Sequence, residues 1–95
     1  MGKTDFKVRI QGIVHQTVYS ISENKIPYKI CSLQGDRLTV QRESTKNFVE
    51  LSIDELYEYF TEETTHNTQT ARKYFTTGYV YSPAAAVINA IKKDQ

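Results

Sequence analysis

The sequence predicts an α+β domain, with about five strands in a twisted antiparallel sheet or small open barrel, followed by two or three helices packed on one side. Three observations carry that expectation. Apolar residues alternate with polar ones through the first half of the chain, turn residues break that alternation into short runs, and capped helical spacing begins only after Leu51. Strand signals followed by helix signals, rather than the two interleaved, favour α+β over a parallel α/β sheet.

Taken in order, Phe6, Val8 and Ile10 alternate with Lys7, Arg9 and Gln11, which predicts a strand wet on one side and ended by Gly12. Residues 13–21 predict a second strand. Ile13, Val14, Val18, Tyr19 and Ile21 fall on both of its faces, as in a strand covered on both sides or bent across a barrel. Ser22-Glu23-Asn24-Lys25 predicts a turn, and Pro27 is acceptable early in the strand after it.

Gln34-Gly35-Asp36-Arg37 is the hairpin signal, since Gly35 accepts the positive φ of a two-residue primed turn. A loop of two or of four residues pairs Leu33 with Leu38, Cys31 with Val40, and Lys29 with Arg42. A four-residue turn at Ser44-Thr45-Lys46-Asn47 then pairs Arg42 with Val49 and Val40 with Leu51. The two hairpins agree on a three-stranded meander whose inward residues are Cys31, Leu33, Leu38, Val40, Val49 and Leu51.

Ser52 and Glu55 form a capping box, flanked by a Leu51–Leu56 hydrophobic staple. Ile53, Leu56, Tyr57 and Phe60 make one apolar stripe behind that cap. Residues 61–70 are threonine-rich and predict a loop. Asn67 or Thr68 caps a short helix bearing Ala71, Tyr74 and Phe75 and ended by Gly78, and Ser82-Pro83 opens a final helix with Ala84, Val87, Ile88 and Ile91 on one stripe and Lys92 and Lys93 in its last turn.

Ninety-five residues predict a single domain over residues 1–95. One cysteine excludes an internal disulfide and favours a cytoplasmic setting. There is no signal-type apolar run and no stretch long enough to span a membrane, so no membrane partner is expected. The net charge of +1 gives no pervasive basic field, but the charge is unevenly placed: residues 51–63 hold five acids and no base.

Little in the chain points to catalysis. His15, Cys31 and His66 are too scattered for a metal site, no glycine pattern cradles phosphate, and no cofactor is expected. His66 in the threonine-rich loop is the one sensible general base, while Glu62 and Glu63, adjacent on a helix end, point different ways. The tyrosines read mainly as core or core-edge residues, with some able to stack on bases or anchor a protein partner.

The register places Lys29 opposite Arg42 on the inward face, and like charges directly across a strand pair destabilise it. A nearby acid is therefore expected, either Glu58 or Glu62 of the acidic helix or a group from outside. Tyr28, Lys29, Arg37, Arg42, Lys46, Glu58 and Glu62 are the candidate binding residues. The functional expectation is a small non-enzymatic binding or adaptor module that engages a protein partner or a second copy. A single-stranded nucleic-acid binder using the basic, tyrosine-containing sheet is the alternative, and a hydrolase centred on His66 the third reading.

Overall fold

The computed structural model describes residues 2–21 and 25–93, with only the backbone of Lys93. Of the turn expected at Ser22-Glu23-Asn24-Lys25, residues 22–24 lie outside the described residues, as does the Lys93 side chain. Within them the chain is α+β, with helices α1 (Lys3–Gly12), α2 (Ile53–Glu62), α3 (Thr68–Ala71) and α4 (Tyr81–Lys93) and strands β1 (Thr17–Tyr19), β2 (Pro27–Gln34), β3 (Arg37–Arg42) and β4 (Asn47–Ser52). The strands form one open antiparallel sheet in the order β1-β2-β3-β4.

Four strands stand where about five were expected, because the first expected strand is α1. Phe6, Val8 and Ile10 fit a period of two, but Phe6, Ile10 and Ile13 also fit a helical face, and those three are buried while Val8 is 65% exposed. Phe6 decides the matter by packing against the rings of Tyr57 and Phe60 on α2, at centroid separations of 5.3 and 5.2 Å. The second expected strand shrinks to Thr17–Tyr19, since His15, at φ 74°, turns the chain out of α1. The His15 N–H then bonds the Ile30 carbonyl at 2.7 Å.

The first hairpin turns at Gly35-Asp36 with Gly35 at φ 59°, and Gln34 pairs with Arg37 and Leu33 with Leu38, as the turn requires. Beyond Ser32–Thr39 the register shifts: Ile30 pairs with Val40, Lys29 with Gln41 and Tyr28 with Arg42. Cys31 is the extra residue of a β-bulge, which corrects the expected Cys31–Val40 and Lys29–Arg42 pairs. Ile30 and Tyr28 become the buried residues, and Cys31 is only half-buried.

The second turn sits at residues 43–46, pairing Arg42 with Asn47, Val40 with Val49 and Leu38 with Leu51. This register differs by two from the expected one, so every side chain keeps its face. Lys46 closes the turn at φ 61°.

The helices cover one face of the sheet, where Val18, Tyr28, Ile30, Leu38, Val40 and Leu51 join a single contiguous core. On α2, Ser52 Oγ accepts the Glu55 N–H at 3.4 Å. The helix buries Ile53, Leu56 and Tyr59, leaving Tyr57 and Phe60 half-buried against Phe6. Asn67 caps α3 reciprocally with Thr70, at 2.9 and 3.0 Å. A 3-10 turn at Gly78–Val80 runs directly into α4, which starts at Tyr81 rather than after Ser82. Its expected stripe is buried, together with Ala85 and Ala86, because α4 is wedged among α1, α2, α3 and β1. Lys3 pairs with Asp54, and Lys7 with Asp36 at 3.6 Å, so α1 meets the acid of the α2 start and of the first turn.

Candidate functional site

Of the seven candidate binding residues, the fold brings two together. Tyr28 and Arg42 are cross-strand neighbours on the helix side of the sheet, and both line a groove of about 790 Å³ between the sheet end and the start of α4. Lys29 projects from the opposite, wet face, by the alternation of strand side chains. The proposed Lys29–Arg42 charge pair therefore does not exist. Arg37 lies at the far end of β3, roughly 17 Å from Arg42 at strand spacing. Lys46 closes the turn beside Arg42, its N–H bonding the Arg42 carbonyl at 2.8 Å, but it does not line the groove, and neither do Glu58 and Glu62, which are exposed on α2.

The groove is built from both layers. Its sheet wall is consecutive β4 residues, Asn47, Phe48, Val49 and Glu50, and its opposite wall is the 3-10 turn, with Tyr79 and Val80. Tyr28 forms part of the floor; its hydroxyl donates to Ser82 Oγ at 2.9 Å, which locks the sheet end to the first turn of α4. Phe48 is 62% and Tyr79 82% exposed, while Tyr28 is buried. Among the described residues, Arg42 has no carboxylate within ion-pairing distance, whereas Lys3, Lys7 and Lys73 do.

The β4 strand is also a free sheet edge. The Glu43 N–H bonds the Pro27 carbonyl and the Ile53 N–H the Asp36 carbonyl. These two bonds fix the alternation: odd-numbered β3 residues bond β2, and even-numbered ones bond Asn47, Val49 and Leu51. The N–H and C=O groups of Phe48 and Glu50 consequently point away from the sheet, into the groove side. Among the described residues no backbone group bonds them there.

No known family, curated protein or solved structure matches this chain.

His66, the candidate general base, is 3% exposed. Its Nε2 lies 3.1 Å from the Tyr59 carbonyl, which can only accept, so Nε2 carries the proton and Nδ1 accepts from the Lys92 ammonium at 2.9 Å. Burial first, and the Lys92 charge in addition, hold the imidazole below its ordinary pKa, against the opposing pull of the Tyr59 carbonyl and Glu63. Asn89 Nδ2 donates to the His66 carbonyl at 2.8 Å. Both ring nitrogens are thus engaged in strapping the loop after α2 onto α4.

Nearby, Tyr74 donates to Glu63 at 2.8 Å, and that bond first, then desolvation, pushes its phenol up to about 12. Desolvation and then Glu58 raise the Glu62 carboxyl. Among the described residues no three metal-ligating side chains gather, and no helix is long and apolar enough to cross a membrane.

Sequence reasoning missed most of the groove. Phe48 was legible as an outward residue from the Val49–Leu51 alternation, but nothing in the chain joins it to Tyr79 and Ser82, thirty residues away. The Cys31 bulge carries no glycine to announce it.

Proposed function

We propose that this protein is a small non-enzymatic binding module that engages a protein partner through the groove beside β4. One observation carries the reading: the exposed Tyr79 ring and the buried Tyr28 ring line a groove together with an arginine that has no acid of its own among the described residues. Aromatic and arginine side chains grouped in a concavity are the usual anchors of a protein interface. The single cysteine favours a cytoplasmic setting for that encounter.

Affinity capture with the whole chain, compared with Tyr79→Ala and Arg42→Ala, tests the reading. The two side chains are exposed, so neither change should lower the melting temperature by more than about a degree or two. Partner capture is expected to fall in both. Retention of every partner by both variants would refute the groove as the binding surface. Binding instead to single-stranded oligonucleotides, with a steep loss in salt, would favour the nucleic-acid alternative, although among the described residues only one cation lines the groove and Glu50 lies on its rim.

A further inference from the structure

Resting on the protein-binding reading, we infer that the groove takes an extended peptide segment as a fifth strand on β4, with an acidic side chain of that segment meeting Arg42. The free edge supplies the recognition. Phe48 and Glu50 each offer an unbonded N–H and C=O on the side away from β3, as follows from the register and the two bonds that fix its parity. An exposed strand edge of this kind is a template for an incoming chain, which gains main-chain hydrogen bonds irrespective of its sequence.

Charge and shape narrow the occupant. Among the described residues Arg42 is the groove's only cation, its guanidinium is planar and always charged, and a carboxylate is the group it pairs with bidentately. The neighbouring donors agree with an acceptor-bearing ligand. Ser82 Oγ receives the Tyr28 hydroxyl, and among the described residues nothing accepts the hydrogen that Ser82 itself carries. Tyr79 and Val80 on one side and Val49 on the other supply apolar walls for the alternate side chains of a strand. A polyanion is a poorer match, since Lys29 and Arg37 face elsewhere and Glu50 borders the groove.

The test uses the full chain and a phage-displayed library of random octapeptides. Selected peptides are expected to share Asp or Glu at one position, and Arg42→Glu should replace that preference with Lys or Arg. Resynthesis of a selected peptide with a single N-methyl group at each amide in turn should show a two-residue period, alternate amides losing roughly tenfold in affinity and intervening ones little. The Phe48 and Glu50 amides should gain protection from hydrogen exchange on binding.

Peptides that bind in the groove with no such period would overturn strand addition and leave the protein-binding reading standing. Failure to select any peptide, or selection of peptides that bind elsewhere, would overturn both. Concentration-dependent dimerisation that protects the same two amides without peptide would assign the edge to a second copy and overturn the inference.

Discussion

Replacing Tyr59 by phenylalanine separates the observed face of α2 from the one its apolar spacing suggests. Tyr59 is fully buried, and its hydroxyl donates to the Asn67 carbonyl at 3.0 Å while lying 2.9 Å from Thr70 Oγ1. Phenylalanine keeps the ring and its contacts with His66 and Phe75, so only the polar bonds are lost. Thr70 Oγ1 retains the Asn67 N–H at 3.0 Å, which spares it from being orphaned. The expected cost is therefore that of one buried hydrogen bond, about 1 kcal/mol. For a domain of this size that lowers Tm by about 4–8 °C, readable by circular dichroism or calorimetry. A double-mutant cycle with Thr70→Val should show coupling of about 0.5 kcal/mol or more, because the two hydroxyls touch. A Tm within about 2 °C of the parent, with no coupling, would mean that the hydroxyl faces water and that α2 is rotated from the position described.

The remaining predictions bear on other elements. The depressed pKa of His66 means that the unfolded chain binds the proton more readily, so this contribution to stability is present above the ordinary value of 6.5 and is lost as pH falls below it; urea titrations from pH 7.5 to 5 should show the slope in the parent and not in His66→Gln. The raised Glu62 carboxyl acts in the opposite sense and is present in both proteins, so the comparison with His66→Gln removes it. Ser52→Ala removes the α2 cap and should cost about 1 kcal/mol in a denaturant titration, an unchanged midpoint arguing against the cap. Deleting Cys31 removes the bulge but leaves Ile30 and Tyr28 inward and Lys29 outward, so the protein should still fold with Lys29 opposite Gln41 in its nuclear Overhauser contacts.

What the sequence made legible was local. The Gly35 turn, the Ser52 cap, a cap at Asn67 or Thr68 and the α4 stripe each rest on a few neighbouring residues, and the structure selects Asn67, capped reciprocally with Thr70. Three features were hidden by competition between equally good local patterns. Phe6, Val8 and Ile10 satisfy a strand while Phe6, Ile10 and Ile13 satisfy a helix, and only the α2 rings decide between them. Tyr57, Tyr59 and Phe60 offer α2 two apolar faces. The second turn moved one residue earlier than expected, yet an even change in register left the inward set intact. The groove was illegible for another reason: the hairpin bearing Arg42 meets Tyr79 and Ser82 through tertiary packing alone, and no spacing encodes that.

The bulge at Cys31 decides what kind of ligand the groove can suit. In a regular ribbon Lys29 would stand beside Arg42 on the helix side, and two adjacent cations over a polar floor would favour a polyanion. The extra residue turns Lys29 to the wet face and brings Tyr28 into its place, with the phenol hydroxyl bound to Ser82. A site with two cations becomes a site with one cation among the described residues, an aromatic floor at Tyr28 and an exposed aromatic wall at Tyr79. That combination suits a chain carrying one acidic group among apolar and backbone contacts. The same shift leaves the parity of β3 untouched, so the edge-facing amides of Phe48 and Glu50 and the guanidinium of Arg42 open onto one groove.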